Sequence, residues 1–184
     1  AAERADVAIL VCDASEGVTS EDLRIGELAM SAGCATLVTL NKWDIVEVDL
    51  DDAKARVERR LRLRPPVITL SALRGRNLQK ILPKALELAD RRAARAQTSE
   101  LNRHLAAAVE RLPPPSKRGR RLRLYYAAQV GDAPPRLAIQ VNDRTLISRD
   151  WSFYLENYLR AALDLDGVPL IIDFVPRRRD RESS

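Results

Sequence analysis

Two continuous apolar runs, DVAILVCDA at 6–14 and ATLVTLN at 35–41, do most to limit what this chain can fold into. Rich in Val, Leu and Thr and without polar alternation, they suit strands covered on both faces. The stretch between them reads as a helix: Thr19 and Asp22 have capping-box spacing, Ile25, Leu28, Ala29 and Ala32 share one face, and Gly33 is placed to end it. The plan repeats with a helical stripe of Ala53, Val57 and Leu61 before a strand at PVITLSA, 66–72. A further helix carries Leu78, Ile81, Leu82, Ala85, Leu86 and Ala89 on one side, and Pro83 should kink it or delay its start. Strand and helix alternating in this way predict a parallel sheet with right-handed crossovers.

The pattern changes near residue 97. A helix over about 99–112 carries Leu101, Leu105, Ala108, Val109 and Leu112, and the prolines at 113–115 stop it. RLRLYYAA and RLAIQVN then alternate apolar and polar residues as strands, with Gly131, Pro134 and Pro135 between them. A stripe of Trp151, Tyr154, Leu155, Tyr158, Leu159 and Ala162 predicts another helix, and VPLIIDFV at 168–175 a last strand. The expected organisation is an α/β unit over 1–96, a small α+β unit of order α-β-β-α-β over 97–176, and a basic tail without regular structure over 177–184, with the boundary between 92 and 98.

Charge is divided unevenly. Residues 1–97 hold 16 Lys/Arg against 15 Asp/Glu and residues 98–184 hold 15 against 11, so the net +5 falls as +1 and +4. Lys117, Arg118, Arg120, Arg121 and Arg123 lie within SKRGRRLR, and Arg177, Arg178, Arg179 and Arg181 in the tail. Such clusters suit a polyanionic partner, whose counterions they release, or a merely solvated face. Periodicity assigns most of Tyr125, Tyr126, Trp151, Phe153, Tyr154 and Tyr158 to the core rather than to base stacking. Cys12 and Cys34 sit in apolar surroundings and read as reduced core thiols, and a single histidine, His104, excludes any site needing two imidazoles. No apolar run reaches about eighteen residues and no signal-peptide pattern opens the chain, so the expectation is a cytoplasmic protein without a membrane partner.

Three strand ends of the first unit are polar: Asp13, the group Asn41-Lys42-Trp43-Asp44, and Ser71-Ala72. In an open parallel sheet, ligands bind beyond such ends. NKWD followed by SAL at the next strand end resembles the translation-factor-type GTPases, whose guanine-recognition motif reads N-K-x-D and whose S-A segment closes the next strand. The chemistry fits. An Asp44 carboxylate is acceptor-only and can take two charge-assisted bonds from the N1–H and exocyclic amino group of guanine. Adenine lacks that donor pair and leaves the carboxylate unpaired, a discrimination of about 10⁴. By the resemblance, Asn41 holds the loops together and reaches the base edge, the Lys42 stem lies against the ring, and the Ala72 N–H meets the guanine carbonyl; Ser71 belongs to the same set. The same residues could also form an ordinary surface turn after a strand.

The second half extends the likeness. PPPSKRGRRLRLYYAAQVGDAPPRLAIQVN, YLENYLR and GVPLIIDF resemble the C-terminal KH-like domain of the EngA/Der family of double-GTPase ribosome assembly factors, and ERADVAILVCDASEGVTSEDLRI with NKWDIVE resembles the distal part of that family's second GTPase domain. The resemblance implies a partial P-loop GTPase-type parallel sheet followed by a KH-like domain. Its implied cofactor is GTP or GDP, with Mg²⁺ held by parts missing from this chain. Its implied partners are the large ribosomal subunit or rRNA and upstream GTPase domains.

No G-x-x-x-x-G-K-[ST] occurs among the 184 residues, and the family's phosphate loop, switch threonine and D-x-x-G segment would lie upstream of Ala1. Hydrolysis by this chain is therefore not expected, and GTP binding should be weak. The strand at 6–14 should present an exposed edge and promote self-association. No G-x-x-G loop of the usual RNA-binding KH kind is present, so the second unit binds RNA through its basic surface or serves mainly as a packing module. A non-catalytic RNA- or protein-binding module with a vestigial base pocket is the alternative reading.

Overall fold

The structure is a computed structural model, and it describes residues 4–46, 49–117 and 119–177. It divides into two units. The first comprises residues 1–94 together with Leu165–Pro169, and the second Arg95–Asp164 with 170–184.

Unit 1 runs β1 (Val7–Asp13), α1 (Ser20–Ser31), β2 (Ala35–Asn41), α2 (Leu50–Arg60), β3 (Val67–Thr69) and α3 (Ile81–Ala93), the last preceded by a 3₁₀ turn at Leu78–Lys80. The three strands form a parallel sheet of order β1-β2-β3, with Val7 opposite Ala35 and Val38 opposite Val67. The α/β architecture is as predicted, and β2 is buried along its length up to Asn41. The capping box is complete: the Thr19 side chain accepts from the Asp22 N–H while the Asp22 carboxylate accepts from the Thr19 N–H. The start of α3 is delayed as expected, to Ile81 after Leu78, and Pro83 is its third residue, where the missing N–H has no intrahelical partner to lose.

Leu10, Cys12, Ala14, Val18, Leu23, Val38, Leu40, Val57 and Leu61 form the core between the sheet and α1 and α2. Several predicted faces are rotated. In α1 the buried residues are Leu23, Gly26 and Ala29, while Ile25 and Leu28 are exposed. The reason is close approach, since a Cβ on Gly26 would lie 3.2 Å from Leu61 Cδ1 and the helix docks through its smallest residue. In α3 only Leu88 and Arg92 are buried and Leu82 and Leu86 face outward. β1 is not covered on both faces as expected: Leu10 and Cys12 are buried, but Ile9 and Val11, which alternation puts on the opposite face, are exposed, and among the described residues β1 pairs with β2 alone.

Arg92 anchors α3 to the sheet margin, its Nε donating to the Gly33 carbonyl at 2.8 Å and its Nη1 to Asp6 Oδ1 at 2.5 Å. The segment Leu165–Pro169 completes the unit: Thr36 N–H donates to the Gly167 carbonyl at 2.8 Å and Gly167 N–H to the Leu63 carbonyl at 2.6 Å. Gly167 has φ +78°, and a Cβ there would stand 2.8 Å from Pro66 Cδ and 3.0 Å from the Thr36 carbonyl. The predicted strand at 168–175 accordingly starts late, at Ile171, because the residues before it are committed to unit 1.

Unit 2 runs α4 (Thr98–Arg111), β4 (Leu124–Gly131), β5 (Arg136–Val141), a 3₁₀ turn at Arg144–Leu146, α5 (Arg149–Ala162) and β6 (Ile171–Pro176). The sheet order is β4-β5-β6, antiparallel then parallel. Leu137, Ile139 and Val141 point into a core shared with Leu101, Leu105 and Ala108 of α4 and with Trp151, Leu155 and Leu159 of α5. Trp151 is core as expected, its Nε1 donating to the Leu112 carbonyl at 2.9 Å. The side chain of Asn102 accepts from the Ala127 N–H and donates to the Ala127 carbonyl, satisfying backbone groups on the free edge of β4. Tyr125 and Tyr126 are not among the aromatics that join the core, and both are exposed. A register shift between Leu124 and Tyr126 marks a bulge, which puts two successive side chains on the open face.

Candidate functional site

β2 delivers the predicted loop. At its end Lys42 has φ +62°, a left-handed conformation that costs a non-glycine residue roughly 1 kcal/mol. The turn is held by its surroundings: Ala14 N–H donates to the Asn41 carbonyl at 2.9 Å, and Trp43 N–H to the Leu70 carbonyl at 3.0 Å. The Trp43 side chain packs against the core cluster and fastens the loop from beneath. Trp43 also lines a small apolar cavity of about 130 Å³ with Ala14, Val18, Leu40 and Ala53, and none of the predicted site residues faces it.

The S-A segment follows β3 in a tight loop closed by paired backbone bonds between Ser71 and Arg76, at 3.1 and 3.0 Å. Asn77 Nδ2 ties the loop to the Thr69 carbonyl at 2.9 Å. The two loops are joined at Asn41, whose Oδ1 accepts from the Ala72 N–H at 3.0 Å. Asn41, Lys42, Asp44, Ser71 and Ala72 are thus brought to one rim of the sheet. The Ala72 N–H is spent on Asn41 here, so it does not stand free for a base carbonyl as the resemblance implied.

Two ion pairs organise the charges. Lys42 Nζ lies 2.5 Å from Asp13 Oδ2 and so links the ends of β1 and β2. That bond, with those from the Ser15 hydroxyl and N–H, holds the Asp13 carboxyl down to about 2. Asp44 is 7% exposed at its side chain and accepts from Arg74 Nε at 2.7 Å. The Ser71 hydroxyl, ahead of its own backbone and Arg74, holds the Asp44 carboxyl below its usual range, so the group is a fixed anion at neutral pH. Arg74 was not among the predicted residues. Its only sequence signal is its place three residues after Ser71, inside the loop. A buried-edged carboxylate aimed from one loop, fastened to a second, is suited to binding a donor pair such as a guanine edge presents.

Among the described residues no group of three His, Cys, Asp or Glu side chains is placed to hold a metal.

The basic run of unit 2 is partly spent on local contacts. Lys117 Nζ donates to the Thr145 carbonyl at 3.1 Å, and Arg120 Nη2 pairs with Asp143 Oδ2 at 3.0 Å. Arg121 and Arg123 are exposed, with their backbones clamped by Asn142. Arg118 and the tail arginines at 178, 179 and 181 lie outside the described residues.

Comparison with known proteins agrees with this architecture. A family model described as the Elongation factor Tu GTP binding domain matches residues 1–106, and one described as the KH-domain-like of EngA bacterial GTPase enzymes, C-terminal, matches residues 95–174. Fold and family models together define a GTP-binding-domain α/β unit joined to a KH-like unit. GTPase Der of Caldicellulosiruptor saccharolyticus is 37% identical over 176 residues, 93% of this chain and 40% of that one. GTPase Der of Pelotomaculum thermopropionicum is 39% identical over 188 residues, covering 100% and 42%, and that of Desulforudis audaxviator 40% over 185 residues, covering 98% and 42%. The chain belongs to the EngA/Der family of GTPases. It spans about two fifths of the length of these relatives. A solved structure of Aquifex aeolicus Era bound to GDP and AlF₄⁻ is similar over 95% of this chain and 66% of that one, at 17% identity and a TM-score of 0.43.

Proposed function

We propose that this chain supplies the base-reading part of a guanine-nucleotide site and an RNA-contacting KH-like unit to a GTPase of large ribosomal subunit assembly. The observation that carries the first half is the locked loop pair, in which Asn41 fastens Ala72 while Asp44 stands as an anion against Ser71. Asp44 is the group that selects guanine, Asn41 and Ser71 set its position, and Lys42 is held at the rim by Asp13. GTP or GDP is the cofactor, with rRNA or the large subunit as the partner of Lys117, Arg118, Arg120, Arg121 and Arg123. Because no phosphate-loop motif occurs in the sequence, the chain by itself binds GTP weakly and does not hydrolyse it.

The test uses a full-length GTPase Der in which this chain replaces the segment it matches. Asp44→Ala in that chimera should raise the Kd for GDP by two orders of magnitude or more and leave ADP, already poorly bound, unchanged. Equal loss of both nucleotides would remove Asp44 from base selection. A second reading, a non-catalytic RNA- or protein-binding module with a vestigial base pocket, is favoured by one observation: Asp44 already has a cationic partner in Arg74. It predicts that Asp44→Ala leaves nucleotide binding by the chimera untouched.

A further inference from the structure

We propose that the open face of the β4-β5-β6 sheet is a stacking platform for single-stranded RNA. The site adjoins the end of the basic run at Arg121 and Arg123 and does not depend on the guanine reading.

Helices cover one face of this sheet, where Leu137, Ile139 and Val141 are buried. Strand alternation puts Ala138 and Gln140 of β5 on the other face. The register sets Tyr126 opposite Gln140 and Gln140 beside Val175, so these three form a row across the sheet. Ala128, Ala138 and Asp173 form the next row, and Gly131, Arg136 and Ile171 the one after. The apolar members stand in solvent: Tyr125 is 42% exposed, Tyr126 45% and Val175 42%. Two exposed tyrosines in succession are not a packing accident of alternation, since the bulge after Leu124 is what turns both outward.

Charge selects the occupant. At the tyrosine end of the sheet, Arg177 lies over the Tyr125 ring with its guanidinium carbon 5.1 Å from the centroid, and the exposed Arg121 and Arg123 lead into β4. The acidic member of the face, Asp173, is neutralised by Arg136 through a two-bonded pair at the opposite end. Aromatic rings flanked by exposed cations suit unpaired bases, whose π-faces stack while their phosphates meet the arginines. Ala128 and Ala138 carry nothing beyond Cβ and leave the row beside Tyr126 open, and Gln140 offers both a donor and an acceptor to a base edge. A duplex hides its base faces and cannot use such a surface.

The test measures fluorescence anisotropy of labelled oligouridine and oligoadenosine, about a dozen nucleotides long, and of an RNA duplex, with the 184-residue chain. Tyr126→Ala and Tyr125→Ala should each weaken single-strand binding about 5- to 150-fold, the loss of one stacked base, with the salt dependence unchanged. Tyr126→Phe should bind as the unaltered chain does. Arg177→Ala should reduce the slope of log K against log salt by about one. Because both tyrosines are half exposed, the variants should fold, which circular dichroism verifies. Lys117→Ala with Arg120→Ala tests the rest of the basic run separately, so loss there with full binding by the tyrosine variants overturns the platform alone. Duplex bound as tightly as single strand also overturns it. So does no binding of either oligonucleotide at about 50 mM salt, which would leave the face to a protein partner.

Discussion

Arg74 Nε donates to Asp44 Oδ2 across 2.7 Å. The carboxylate predicted to read guanine is therefore already holding a guanidinium, whose N–H groups offer the same kind of donor pair as the N1–H and amino group of the base. Base and Arg74 compete for one acceptor. Arg74 is 65% exposed, so solvent and salt screen its hold on Asp44. Arg74→Ala in the full-length chimera should lower the Kd for GDP about 1.5- to 5-fold, measured by titration calorimetry. A weakened GDP affinity would show instead that Arg74 positions Asp44 for the base.

The Lys42–Asp13 pair gives the rim a pH signature. A carboxyl held down to about 2 in the folded state means that folding disfavours its protonation. The stabilisation is complete above the ordinary carboxylate value near 3.9 and is lost as pH falls toward about 2. The difference in urea midpoint between the unaltered chain and Asp13→Asn should be constant from neutral pH to about 5 and close between about 4 and 2. A difference that widens in acid would contradict the assignment.

Gly167 is the point at which unit 1 tolerates no side chain. Its φ of +78° and the 2.8 Å approach of Pro66 Cδ combine a left-handed penalty with overpacking against backbone. Gly167→Ala should cost about 2–4 kcal/mol, read from chemical denaturation followed at Trp43. A loss below the error of the measurement would mean that the segment Leu165–Pro169 does not dock on β2 in solution.

β1 exposes Ile9 and Val11 and pairs among the described residues with β2 alone. An unpaired apolar edge recruits a second strand, so the chain should associate as its concentration rises in sedimentation velocity. Val11→Lys should shift the distribution to monomer. Monomer at all concentrations in the unaltered chain would mean that this edge is not adhesive.

How much of this was legible depended on how local each signal was. The N-K-x-D loop, the S-A segment and the Thr19–Asp22 box are written in consecutive residues, and they occupy the places expected of them. Contacts made at long range were not legible. Arg74 meets Asp44 across 30 positions, Asn41 meets Ala72 across 31, and Arg92 meets Asp6 across 86. Helix faces failed for a related reason: in α1 and α3 periodicity marks an apolar side, while docking distance decides which part of it is buried, as Gly26 against Leu61 shows. Alternation alone puts Tyr125 and Tyr126 on opposite faces, and one bulge was enough to turn both out.

The central claim is that Asp44 reads the base, and exchanging the donor pattern on both sides tests it most directly. Xanthine carries a carbonyl where guanine carries its amino group, and Asn offers an N–H where Asp offers only acceptors. In the full-length chimera, Asp44→Asn should weaken GDP binding by two orders of magnitude or more and strengthen binding of xanthosine diphosphate, measured by competition against a fluorescent nucleotide. Unchanged preference for GDP in that variant would contradict the account.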